Sequence, residues 1–108
     1  MAVRLPAPVA RYIEAQNEED TDAMLASFAP DALVRDEHRE HRGTAAVHAW
    51  IVDVTKRYAP KLSVVDTSAD GSNVVADVAV TGTFPGSPLR LRFTFALAND
   101  RIARLEIA

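Results

Sequence analysis

Hydrophobic positions recur at two different periods along this chain, and the change between them divides it. Val9, Tyr12, Ile13 and Gln16 fall on one stripe of a helix that opens near Pro6 or Pro8, where proline is tolerated, and runs to about Glu18. The acidic run Glu18-Glu19-Asp20 breaks that pattern. Asp20 or Thr21 then caps a short second helix reaching about Ala29, which buries Leu25 and Phe28 and is stopped by Pro30. Val47, Trp50, Ile51, Val54 and Tyr58 recur at i, i+3, i+4, i+7 and i+11, predicting a third helix from Thr44, its expected N-cap, to just before Pro60.

Between the second and third helices the period drops to two. Ala32, Val34 and Asp36 share one face of a strand and Leu33 and Arg35 the other, so an acid ends an otherwise apolar face. A tight hairpin and a short return strand lead to Gly43. From Lys61 onward only strands and turns are predicted: Leu62 to Ala69, a turn at Asp70-Gly71-Ser72, Asn73 to Phe84, a longer connection through Pro85-Gly86-Ser87-Pro88, then Leu89 to Ala98. Asn99-Asp100 turns the chain into a last strand from Arg101 to Ile107. Gly82 inside the valine-rich run marks a bend or bulge. This order implies an α+β fold, with three helices packed on one face of a strongly curved, mostly antiparallel sheet that encloses a pocket. Apolar and neutral residues on both faces of Val74 to Thr83 point to a homodimer through the sheet's outer face.

Composition narrows the function classes. The 108 residues fit one domain, 1–108, with room for a single core and a cavity. A formal net charge of -3, with arginines scattered among acids, argues against a nucleic-acid partner. The absence of cysteine removes disulfides, thiolate nucleophiles and cysteine metal sites. No stretch approaches the ~18 apolar residues of a membrane helix, and Met1-Ala-Val-Arg-Leu-Pro6 is not followed by a leader-like apolar core, so a cytoplasmic, unprocessed protein is expected.

The chemistry centres on Asp36. A carboxylate on an apolar face is poorly solvated, which raises its pKa and suits it to take a proton from carbon near neutral pH. The plainer alternative is a strand-end aspartate bonded to its hairpin or paired with Arg35, Arg39 or Arg42. Tyr12 is either a phenol that stabilises developing negative charge on a carbonyl oxygen or a core tyrosine bonded to backbone. His38 and His41 lie close to Asp36, Glu37 and Glu40, but residues three apart on an extended segment face opposite ways, so no metal is expected. His38, two positions after Asp36, is placed on its face and at the pocket rim; His48 lies off the helical stripe and is exposed. Trp50, Phe28, Val54, Tyr58, Phe93 and Phe95 are core or pocket wall, and Trp50 can stack on a planar ring. Asp77 faces solvent, a dimer neighbour or the cavity. No nucleophilic serine motif, phosphate-cradling loop or dinucleotide fingerprint is present, and no cofactor is expected.

Arg11-Tyr12, Phe28-Ala29-Pro30-Asp31-Ala32, Val34-Arg35-Asp36 and Arg42-Gly43-Thr44-Ala45-Ala46-Val47 before Trp50, in this order of elements, resemble the nuclear transport factor 2-like superfamily. Within it the likeness is to the SnoaL-like polyketide cyclase and ketosteroid isomerase branch. The resemblance implies a cone-shaped sheet with three helices, a pocket in the cone and usually a dimer. It implies Asp36 as the carboxylate that shuttles a proton and Tyr12 as the phenol on the substrate's oxyanion. Where those isomerases carry a protonated aspartic acid as second oxyanion donor, the register places Phe93, which donates nothing; the hairpin after Asp36 is also shorter. The leading expectation is therefore a protein whose apolar pocket takes a hydrophobic cyclic or polyketide-like carbonyl compound, with catalytic Asp36 and Tyr12 and substrate-binding Trp50, Phe28, Val54, Phe93 and His38. The alternatives are a non-catalytic ligand-binding or dimeric accessory module, and hydrolysis of an epoxide or ester by water that Asp36 activates.

Overall fold

The structure is a computed structural model and describes residues 5–108, so the leader reading of the N-terminal string falls largely on Met1–Arg4, outside the described residues. The elements run α1 (Ala7–Asn17), α2 (Thr21–Ala26), β1 (Phe28–Asp36), β2 (Arg39–Arg42), α3 (Thr44–Tyr58), β3 (Lys61–Asp70), β4 (Asn73–Thr81), β5 (Leu89–Ala98) and β6 (Arg101–Ile107). The strands form one curved, unclosed sheet in the order β2-β1-β6-β5-β4-β3, antiparallel throughout except for β1 beside β6. The α+β architecture read from the periodicities is the one observed.

One core lies between the helices and the concave face of the sheet. Val9, Tyr12 and Ile13 from α1 and Val47, Trp50 and Ile51 from α3 meet Ala32 and Val34 of β1, Ala76, Val78 and Val80 of β4, Phe93 and Phe95 of β5, and Ile102 and Leu105 of β6. Each strand contributes alternate residues, as a half-buried sheet requires. Two of the three two-residue hairpins turn on two non-glycine residues at positive φ, Glu37-His38 and Asn99-Asp100, a conformation whose twist matches that of the flanking strands. Helix α3 ends on Ala59 in the left-handed region, with its N–H bonded to Thr55 O at 3.0 Å, before Pro60.

Four local expectations are corrected. Helix α2 ends at Ala26, and the residue it buries fully is Met24, whereas Leu25 is only half-buried. Ser27 O accepts from Ile102 N–H at 2.8 Å, which draws the chain into strand pairing with β6 at once, so Phe28 opens β1. Pro30 lies in that strand, where the β1–β6 register is irregular and no ladder bond is needed from it. The N-cap of α3 is Gly43 at φ 86, whose N–H bonds to Ala32 O at 2.9 Å; the Thr44 hydroxyl donates instead to Pro30 O at 3.2 Å. Finally, β4 stops at Thr81. A Cβ on Gly82 would lie 2.4 Å from Tyr58 O, so the glycine permits the chain to leave the sheet and run against the end of α3.

The free edge of β3 is tied to α1 by two side chains. The Asn17 carboxamide accepts from Leu62 N–H at 2.6 Å and donates to Leu62 O at 2.9 Å, acting as one more rung of the ladder, while the Lys61 ammonium donates to Asn17 O at 2.7 Å. Asn17→Ala leaves two partly buried backbone groups without partners and is expected to lower stability by about 1–3 kcal/mol. Urea denaturation of the two proteins measures it, and an unchanged midpoint with unchanged slope would refute the edge-tie role.

Candidate functional site

Period two along β1 carries Asp36 onto the same concave face as Ala32 and Val34, at the point where the strand ends and the core gives way to open space. Asp36 is half-buried, and its Oδ2 accepts a hydrogen bond from the Trp50 indole Nε1 at 3.1 Å. Trp50 reaches it from the second turn of α3, and none of Arg35, Arg39 or Arg42 forms an ion pair with it. Burial pushes the Asp36 carboxyl above the ordinary aspartate range and the negative Glu37 adds to this, while the Trp50 N–H, the Glu37 backbone amide and the His41 charge pull the other way. The net effect is upward.

A cavity of about 820 Å³ opens beside this carboxylate, between α1, α3 and the concave sheet. Its apolar walls include Val54, Leu62, Val80, Phe84, Leu91 and Phe93. That volume is of the size that takes a small organic molecule. Tyr12 lines it from α1 and is almost fully buried, packed edge-on against Phe28 and Phe95 with ring centroids 5.5 and 6.1 Å away. Desolvation, with the Asp36 charge nearby, holds the Tyr12 phenol above its ordinary pKa, so it stays a neutral hydrogen-bond donor. Its hydroxyl has no hydrogen-bond partner among the described residues, and the side chain lines the cavity.

The structure therefore brings Asp36, Tyr12, Trp50, Val54, Phe93 and His38 to one cavity wall or rim. Phe28 is placed differently. It is buried outside the lining, with its ring against Tyr12 and 6.5 Å from the Trp50 centroid, so it supports two residues of the site from behind. Trp50 also does more than offer a stacking surface, since its indole N–H fixes one carboxylate oxygen. His38 reaches the rim from the hairpin turn at φ 64, exposed, not from the strand face inferred for it, because the period-two alternation does not continue through a two-residue turn. The histidine on the face of Asp36 is His41, paired with Val34 across the hairpin, half-buried and 6.2 Å from the Trp50 ring centroid. A two-residue turn after Asp36 would have revealed this in the sequence, since it pairs Arg39 with Asp36 and hence His41 with Val34.

Two further groups escaped the sequence reading as site residues. Gln16, on the Tyr12 stripe one turn along α1, is buried yet lines the cavity. Glu106 reaches it from β6, and Tyr58, read as core or pocket wall, lines it near the end of α3 with its ring edge-on to Phe84 at 5.9 Å. Asp77 belongs to the opposite face of the sheet, cross-strand from Arg92 and beside Asp66, not to the cavity. Among the described residues no group of three histidine, aspartate or glutamate side chains stands close enough to hold a metal ion. No helix there is long and apolar enough to cross a membrane.

Comparison with known proteins places this geometry. No curated protein sequence matches the chain. Among solved structures, a candidate polyketide cyclase from Sinorhizobium meliloti is 39% identical, with a TM-score of 0.91 over 96% of this chain and 95% of that one. A second candidate polyketide cyclase, from Xanthomonas campestris, is 27% identical with a TM-score of 0.79, covering 94% of this chain and 86% of that one. A protein from Catenulispora acidiphila described as having a ketosteroid isomerase-like fold, solved with trimethylamine, shares that fold at 14% identity and TM-score 0.83, covering 97% and 86% of the two chains. The model of the SnoaL-like domain matches residues 9–105, and the chain belongs to this family, within the nuclear transport factor 2-like superfamily.

Proposed function

We propose that the protein catalyses proton transfer alpha to the carbonyl of a hydrophobic cyclic or polyketide-like compound, as an isomerase or cyclase. One observation carries this reading: a carboxylate whose pKa is raised by burial, with Oδ2 held by Trp50 at 3.1 Å, stands at an apolar cavity that also presents a neutral phenol. The cyclase descriptions of the two more similar structures support it. Asp36 Oδ1 takes the proton from the alpha carbon, the C–H electron pair moves into the enolate, and the Tyr12 hydroxyl donates to the enolate oxygen. Asp36 then returns the proton to another carbon in an isomerisation. In a cyclisation the enolate carbon attacks a second carbonyl of the same substrate, and the proton goes to the new alkoxide. Half-exposed Val75 and Ala79 on the outer face of β4, near exposed Val65, support a homodimer through that face.

A second reading, a ligand-binding module without chemistry, is favoured by Phe93. It is almost fully buried on the cavity wall, where the resemblance would call for a second oxyanion donor.

The two readings part on deuterium exchange at the alpha carbon of a ring ketone such as 1-tetralone, followed by NMR. Asp36→Asn should slow catalysed exchange by about 10²- to 10⁴-fold and Tyr12→Phe by about 10²-fold; rates indifferent to both changes would leave only the binding module. Trp50→Phe removes a hydrogen bond that favours the carboxylate, so the acid limb of the rate profile should move to higher pH; a limb that stays in place or moves down contradicts the Trp50 role. Because the folded Asp36 pKa lies above its ordinary value, the unfolded chain gives up this proton first. The stability present below the ordinary aspartate range is thus lost as pH rises through the folded pKa. Asp36→Asn should therefore raise the melting temperature at about pH 7 and lose that advantage near about pH 3; calorimetry at the two values decides.

A further inference from the structure

Two polar atoms on the cavity-lining face of α1 have no hydrogen-bond partner among the described residues, and only one of them is used by the proton-transfer scheme. The first is the Tyr12 hydroxyl. The second is the Gln16 side-chain carbonyl. Gln16 is 3% exposed, and its amide Nε2 donates to Thr55 Oγ1 on α3 at 3.4 Å, which turns Oε1 away from α3 and toward the open space. No buried side-chain nitrogen or oxygen among the described residues is cut off from both water and hydrogen bonds, so Gln16 Oε1, bonded to no described group, is reached from the cavity. A buried amide left facing an apolar chamber costs stability unless something fills its valence.

Residues 12 and 16 are four apart on one helix, so their side chains lie on the same face about 5–6 Å apart. The wall therefore offers a donor beside Asp36 and, one turn further on, an acceptor. We infer that Gln16 sets substrate specificity: its Oε1 accepts a hydrogen bond from a hydroxyl or N–H that the ligand carries in addition to its carbonyl, so the substrate class is a hydroxylated or amide-bearing ring ketone and not a bare hydrocarbon ketone. This rests on the proposed reading for the placement of the carbonyl at Tyr12 and Asp36. Leu62, Val80 and Phe93 elsewhere on the wall supply apolar contact, and the acceptors Tyr58 and Glu106 reach the cavity from α3 and β6 and not from the α1 face that carries Tyr12.

The test uses 1-tetralone, its 6- and 7-hydroxy derivatives and the corresponding methoxy ethers, with binding followed by fluorescence of Trp50, the single tryptophan of the chain. At least one hydroxy compound should bind about tenfold more tightly than its ether, the worth of one good hydrogen bond. Gln16→Met keeps side-chain length and removes the acceptor; it should erase that preference while holding 1-tetralone affinity within about twofold. Thr55→Val frees the amide to rotate and should weaken the preference without touching the cavity's shape, which decides the matter should Gln16→Met fail to fold. Hydroxy and ether compounds binding alike, a preference for the ethers, or a hydroxyl preference that survives in the foldable variants would each overturn the assignment. Alpha-proton exchange measured on the same samples separates the two claims: exchange insensitive to Asp36→Asn with the Gln16-dependent preference intact sinks only the catalytic reading. Catalysed exchange with no Gln16-dependent preference sinks only this one, and failure of every probe to bind sinks both.

Discussion

The hydrogen bond from the Trp50 indole to the Asp36 carboxylate is the contact on which the site depends, because it joins the last residue of a strand to the inner stripe of a helix across the mouth of the core. An acid at the end of an apolar face pays a desolvation cost that water would otherwise prevent, and the N–H groups of Trp50 and Glu37 recover only part of it. The result is a carboxyl group held in one orientation by the Trp50 bond to Oδ2, with a proton affinity raised above the ordinary aspartate range. Phe28 behind and His41 in front keep the indole in place, so the orientation is set by packing as well as by the bond itself.

The cavity exists because the sheet curves away from helices that cannot follow it. Helix α1 is docked at its C-terminal end by the Asn17 carboxamide on β3, and α3 is met at its own end by the chain leaving β4, with Thr83 N–H bonded to Tyr58 O at 2.8 Å. Between those two attachments the cavity opens, lined by Tyr12 and Gln16 of α1, Trp50, Val54 and Tyr58 of α3 and residues of the concave sheet. The lining is mostly apolar, with its few polar groups on α1 and at the rim. A chamber of that composition holds an organic molecule better than it holds ordered water.

Much of this was legible in the chain. The helical stripe from Val47 to Tyr58, the alternation that put Asp36 on the face of Val34, and the turn residues at Asp70-Gly71-Ser72 and Asn99-Asp100 were each read correctly, because neighbours along the sequence dominate them. The errors cluster where distant segments compete. Residues 27 to 29 are as compatible with a helix end as with a strand start, and only the pairing of Phe28 with Ile102, far along the chain, settles the matter. Gln16 looked like an ordinary member of a buried stripe; Thr55, 39 residues away, is what orients its amide.

By itself the sequence determined the class of fold and the faces of its elements, since periodicity and turn chemistry are properties of short stretches. It also carried enough of the family's pattern to place the chain among SnoaL-like domains. The tertiary structure alone decided that Trp50 binds the carboxylate, that Phe28 stands behind the wall and that Gln16 looks into the cavity. Each of these is a contact between residues whose separation along the chain carries no information about their distance in space, and each follows from how the sheet bends and where the helices come to rest on it.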